Sequence, residues 1–206
     1  MQQGNLDEAQ KIVEEQISLN PNSVEAYNLE GIICTANQDS ARAIEAFQHA
    51  LKLAPNSTKP HNNLGNLYVT QQKLDLAQEE FAKVLRLAPA DRDANYNLGL
   101  LLLGKGNTSA AIQHFQRVRP ATVESQFNLV RAYFQAGRTA EALQTARNLS
   151  SAHKQDVQLH FTLGVVLATA TQYKAAQLEL EQANALQPET FETLYNLGRV
   201  YLRGHD

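Results

Sequence analysis

The amino-acid sequence predicts an all-α protein, a solenoid of antiparallel helix pairs. Three observations carry this. Six positions, Gly31, Gly65, Gly99, Val130, Gly164 and Gly198, recur at intervals of 34, 34, 31, 34 and 34 residues. Pro21, Pro55, Pro89, Pro120 and Pro188 each stand ten residues before one of them, and Lys154 takes the remaining place. Alanine recurs at Ala9, Ala43, Ala77, Ala111, Ala142 and Ala176, and four residues later stand Val13, Phe47, Phe81, Phe115 and Leu180, with only Ala146 small. A fixed period in this range marks units that cannot bury their apolar faces alone and must stack.

The elements follow in order. Residues 5–19 carry the second-helix columns and no first helix, so they read as a lone second helix. Five complete units follow at 24–57, 58–91, 92–122, 123–156 and 157–190, and residues 191–203 form a lone first helix, a candidate cap that is too apolar to be a good one. In each unit a Pro or Asn-Ser/Thr segment opens an apolar-periodic stretch. A polar turn such as Asn37-Gln38-Asp39, Gln71-Gln72-Lys73 or Gly104-Lys105-Gly106-Asn107 then breaks it. A second helix runs on to the next proline, which cannot continue it. Ser40, Thr108 and Thr139 are the predicted N-caps of second helices.

Three departures from the pattern make local predictions. Glu30 stands where other units have Leu64, Leu98, Leu129, Leu163 and Leu197, so the first helix of that unit is expected to be rotated or locally adjusted. Val130 replaces the small residue at the helix crossing, which predicts a wider crossing there. The third unit is three residues short between Phe115 and Pro120, which predicts a shortened second helix.

These columns resemble the tetratricopeptide repeat, a 34-residue helix–turn–helix with an aromatic-x₂-Leu-Gly-x₂-Tyr, Ala-x₃-Phe and Pro pattern. The resemblance spans nearly the whole chain. It implies a right-handed superhelix whose first helices line a concave groove that takes a protein or peptide segment. On that reading the groove columns hold Asn63, Asn66, Asn97, Asn128, Arg131 and Asn196, together with Tyr96, Leu100, Phe127, Phe134 and Phe161.

A carboxamide offers two donors and an acceptor, so repeated asparagines can pair with successive amides of an extended peptide. Asn63, Asn97, Asn128 and Asn196 are similar in this to the asparagine ladder of protein O-linked N-acetylglucosaminyltransferases. The same residues can instead fix the helix, and the structural role is the stronger of the two readings. The aromatic and aliphatic positions predict an apolar middle to the groove or, alternatively, side chains tucked against the adjacent unit. The Lys/Arg clamp by which one subfamily holds chaperone C-termini is not rebuilt: Asn28, Asn62 and Tyr96 stand at its lysine column.

Composition narrows the function classes. Eighteen Lys and Arg against 21 Asp and Glu give a net charge of −3, without the basic footprint of a nucleic-acid binder. Residues 1–103 carry −5 and residues 104–206 carry +2. No apolar run is long enough to cross a membrane. The first residues lack the pattern of a secretory signal, which leaves the compartment open with the cytoplasm slightly favoured. One cysteine, Cys34, excludes an intrachain disulfide and a Cys-based metal cluster. None of the six histidines, His49, His61, His114, His153, His160 and His205, lies four residues from another. Ser150, Ser151, His153 and Asp156 invite a triad reading, but they fall between two units and read as a solvated loop.

The sequence therefore predicts no catalytic residue, no metal site and no cofactor. The expected function is a protein-interaction scaffold. Two alternatives stand beside it. One is a recruiting segment of a larger enzyme such as a glycosyltransferase. The other is a structural protein that self-associates through its apolar end helices. The chain itself reads as part of a longer array.

Overall fold

The computed structural model describes residues 2–204, with side chains from Asn5 onward; His205 lies outside the described residues. Twelve helices make up the described fold: α1 (Gln2–Leu19), α2 (Val24–Ala36), α3 (Ser40–Leu53), α4 (Thr58–Thr70), α5 (Leu74–Leu87), α6 (Arg92–Gly104), α7 (Thr108–Arg117), α8 (Val123–Gln135), α9 (Thr139–Ala152), α10 (Val157–Thr169), α11 (Tyr173–Leu186) and α12 (Phe191–Gly204). Contacts gather them into two compact units. One comprises residues up to Leu101 with Arg117–Arg119, and the other comprises Leu102–Gln116 with residues from Pro120 on. In the first, α2 pairs with α3 and α4 with α5, while α1 packs on α2 and α3 on α4. In the second, α8 pairs with α9 and α10 with α11, and α12 packs on α11.

The turn inside each pair is one motif used five times. The residue after the first helix's C-cap is left-handed at Gln38 (φ 63°), Gln72 (59°), Gly106 (78°), Gly137 (71°) and Thr171 (60°). The next backbone N–H then reaches back to the helix: Asp39 to the Cys34 carbonyl at 2.8 Å, Lys73 to Tyr68 at 2.9 Å, Asn107 to Leu102 at 2.9 Å, Arg138 to Tyr133 at 2.8 Å and Gln172 to Leu167 at 2.8 Å. This is the Schellman closure, and it satisfies carbonyls that the helix end leaves without a partner. The turn fixes where the second helix begins, and this corrects the expected caps. Ser40, Thr108 and Thr139 are the first residues of their helices, one place inside. Asp39 accepts from the Arg42 N–H at 3.1 Å and Asn107 from the Ala110 N–H at 3.3 Å, while Arg138 makes no side-chain cap bond.

Pairs close tightly where the recurring glycine meets a large side chain sixteen residues on. A Cβ built on Gly65 would lie 2.6 Å from Phe81 Cε1, and Gly31 meets the Phe47 ring and Gly164 the Leu180 side chain in the same way. Phe47, Phe81 and Leu180 are fully buried. The same contact corrects the expectation for α2, which keeps the common register. Glu30 reaches Arg42 at 3.3 Å, and Leu29 points outward. At the fourth crossing Val130 and Ala146 hold the glycine and large-residue registers, both buried, so the larger side chain has changed helix. The three-residue shortening appears in α7, which has 10 residues where α3, α5, α9 and α11 have 14. That is about one turn of helix.

Candidate functional site

Clefts open between successive first helices within each compact unit. In the first unit, the cleft between α2 and α4 is lined by Ile32, Thr35, Asn63, Asn66 and Thr70, over a floor that includes Phe47 and Leu67. In the second unit, the α8–α10 cleft carries Arg131, Phe134, Gln135, Val166 and Thr169. The α10–α12 cleft carries Val165, Ala168, Asn196, Arg199 and Arg203. The lining thus differs in charge: amide and aliphatic in the first unit, cationic in the second.

The asparagines are engaged within the chain. Asn63 Nδ2 donates to Asn28 Oδ1 at 2.9 Å, and Asn97 Nδ2 donates to Asn66 Oδ1 at 2.8 Å, so each bond ties one first helix to the one before it. Asn128 is buried. Its Nδ2 donates to the Glu124 carbonyl at 3.0 Å, and its Oδ1 accepts from Arg131 Nη1 at 3.0 Å, which holds that guanidinium at the α8 surface. Asn196 Nδ2 donates to the Glu192 carbonyl at 2.8 Å. One N–H of each carboxamide is therefore committed within the chain.

The apolar candidates divide. Phe134 and Phe161 are half-buried and pack against the core of Leu167, Ala176, Leu180, Leu197 and Val200, and Phe134 also lines a cleft. Tyr96 and Phe127 are half-buried, and Leu100 is exposed on α6.

Asp156 caps α10, accepting from the Leu159 N–H at 2.9 Å. Ser150 and Ser151 lie at the end of α9, and His153 is its C-cap. Among the described residues no group of three or more His, Cys, Asp and Glu side chains is placed to hold a metal ion. Cys34 is buried, which pushes its thiol above the ordinary cysteine range.

Two residue pairs were missed by the sequence reading. His61 Nδ1 lies 2.6 Å from Glu80 Oε2, and His160 Nδ1 lies 2.7 Å from Glu179 Oε2. In both, Nε2 faces the carbonyl oxygen six residues earlier, of Pro55 or Lys154, at 3.2 Å. A carbonyl oxygen only accepts, so the ring N–H at Nε2 is the donor in that contact, and both ring nitrogens have a partner. The readable trace was a histidine in the same column of two units with a glutamate nineteen residues on.

Helix pairs closed on a recurring small residue, with clefts between successive first helices, define a repeat scaffold. The chain belongs to the tetratricopeptide-repeat family: one such family model matches residues 1–58 and 62–122, and a second matches residues 102–163. No curated protein sequence matches significantly. Solved structures share the fold. YrrB, a TPR protein with an unusual peptide-binding site, is 22% identical with a TM-score of 0.72, over 91% of this chain and 98% of its own. A tetratricopeptide repeat protein from Parabacteroides merdae is 18% identical with a TM-score of 0.76, over 99% and 82%. PilW, a type IV pilus biogenesis factor, is 22% identical with a TM-score of 0.73, over 96% and 93%. No described helix is long and apolar enough to cross a membrane.

Proposed function

We propose that the chain is a non-catalytic scaffold that binds a segment of another protein in the clefts between its first helices, and that the segment carries carboxylates among apolar side chains. The carrying observation is the cationic lining of the second unit. Arg199 and Arg203 share one cleft with Asn196, Val165 and Ala168, and Arg131, held by Asn128, stands beside Phe134 in the next. Guanidinium groups bind carboxylates through paired hydrogen bonds, and apolar walls beside them supply area. The peptide-binding site of YrrB, on the same fold, supports a segment as the ligand class.

In this reading Asn63 and Asn97 brace the first helices, and their remaining donors are secondary contacts. Random-peptide capture tests it. The native chain should enrich acidic–apolar peptides, the double variant Arg131→Glu/Arg199→Glu should lose them, and Asn63→Ala/Asn97→Ala should retain most of them. Enrichment that survives the arginine variant would overturn the proposal. Loss confined to the asparagine variant would point to backbone recognition in the first unit instead.

A further inference from the structure

The two clefts of the second unit meet across α10. Thr169 lines both, the α8–α10 cleft with Arg131 and the α10–α12 cleft with Arg199 and Arg203. α10 alone among the described helices carries no Asp, Glu, Lys or Arg. It lines the clefts with Val165, Val166 and Ala168, all half-buried. Three successive first helices thus present a cation, an apolar ridge and a pair of cations. Among the described residues no acidic side chain lines either cleft. Arg131, Arg199 and Arg203 are exposed, and Asn128 holds the first of them in place.

This order sets a spacing on the ligand. Neighbouring helices lie about 8–10 Å apart, so α8 and α12, with α10 between them, stand about 16–20 Å apart. An extended chain rises about 3.3 Å per residue and covers that span in about six residues. Its side chains alternate, so residues i and i+6 face the same side, and i+2 and i+4 face it with them. The uncharged polar groups of the α8–α10 cleft, Gln135, Thr139 and Thr169, favour an extended occupant. Such a segment brings backbone N–H and C=O groups that need partners, whereas a helix satisfies its own. The Thr169 hydroxyl donates to the Val165 carbonyl at 2.9 Å, which leaves its oxygen to accept. Resting on the cationic-cleft reading above, we propose that the second unit recognises an extended segment with two acidic residues six positions apart. One carboxylate pairs with Arg131 and the other with Arg199 and Arg203, and apolar residues at the second and fourth places between them lie on the α10 ridge.

Fluorescence anisotropy of the 206-residue chain with labelled synthetic peptides tests this. The peptides share one composition, with two glutamates and two leucines, and place the glutamates four, six or fourteen residues apart. The six-residue peptide, Glu-x-Leu-x-Leu-x-Glu, should bind about tenfold or more tighter than the other two, the worth of one charged pair made or missed. Arg131→Glu, folded by circular dichroism, should lose that peptide and recover one of the two peptides in which a single end glutamate is lysine. Equal affinity at all three spacings overturns the proposal and leaves the acidic–apolar reading standing. A preference for fourteen residues, which a helix at about 1.5 Å per residue needs for the same span, overturns it in favour of a helical ligand. So does a preference for four residues, or an Arg131→Glu chain that neither lysine peptide restores. Absence of binding by every peptide overturns both readings together.

Discussion

His61 and Glu80 form a buried pair in which every ring nitrogen is used: Nδ1 lies 2.6 Å from the carboxylate and Nε2 lies 3.2 Å from the Pro55 carbonyl oxygen. Lys83 Nζ adds a contact of 2.6 Å to the other carboxylate oxygen. The pair joins α4 to α5, and its cost depends on keeping both partners. Glu80→Ala leaves a buried ring nitrogen unsatisfied and should destabilise the chain by about 1–3 kcal/mol in urea titration. Replacing both, as His61→Leu/Glu80→Ile, should recover most of that loss, since apolar groups of similar volume substitute well for a buried polar pair.

The crossing glycines predict opposite signs for one substitution. Gly65→Ala drives a methyl group into the Phe81 ring, which is fully buried. Overpacking of this kind costs about 1–3 kcal/mol. Gly198→Ala meets nothing within 4 Å, so only helix propensity acts, and the folded chain should gain about 0.5–1 kcal/mol. Thermal melts of both variants beside the native chain check the contrast.

Thr171 is a β-branched residue at φ 60° in a turn whose counterparts in two other pairs are Gly106 and Gly137. A branched Cβ is strained in that region. Thr171→Gly should therefore stabilise the α10–α11 turn by about 1 kcal/mol, and Gln38→Gly by less, because Gln38 is unbranched. Equal effects at the two sites would contradict the strain argument.

Tyr201 Oη donates to Glu181 Oε1 at 2.8 Å and fastens α12 to α11. Hydrogen bonds from Gln177 and then Tyr201 hold the Glu181 carboxyl below its ordinary range, and the bond to Glu181 pushes the Tyr201 hydroxyl above its own. The signs are opposite. The lowered carboxyl stabilises the fold above the ordinary carboxylate range and loses that contribution as pH falls through its folded value. The raised phenol stabilises the fold below the ordinary phenol range and loses it as pH rises through its folded value. The stability difference between the native chain and Tyr201→Phe should thus be greatest near neutral pH and shrink in both acid and alkali. Tyr201 is exposed and Glu181 half-buried, so solvent screens the pair and the difference is small throughout.

Much of the fold was legible because each contact recurs and each recurrence leaves a column. The prolines and glycines placed the helices, and the missing residues after Phe115 appeared as the short α7. Legibility ended where a residue's role depends on a neighbour in space. Glu30 looked like a disruption because Arg42, its partner, lies on the next helix. The caps were misplaced by one residue because a backbone turn sets the helix start and Ser40 and Thr139 only follow it. The histidines escaped a search along single helices because their glutamates stand on the paired helix. At the clefts, sequence supplied the asparagine column, but the bonds of Asn63 to Asn28 and of Asn97 to Asn66 show only once two helices lie side by side.

The exchange of bulk between Val130 and Ala146 bears on how such an array can be re-engineered. The five helix pairs look like copies of one part, yet the pair holding Val130 is keyed differently from the pair holding Gly164 and Leu180. Grafting α8 opposite α11 would set two large side chains against each other, and grafting α10 opposite α9 would leave a void. Only whole pairs can be shuffled, and a design that averages each column independently would erase the fit between them.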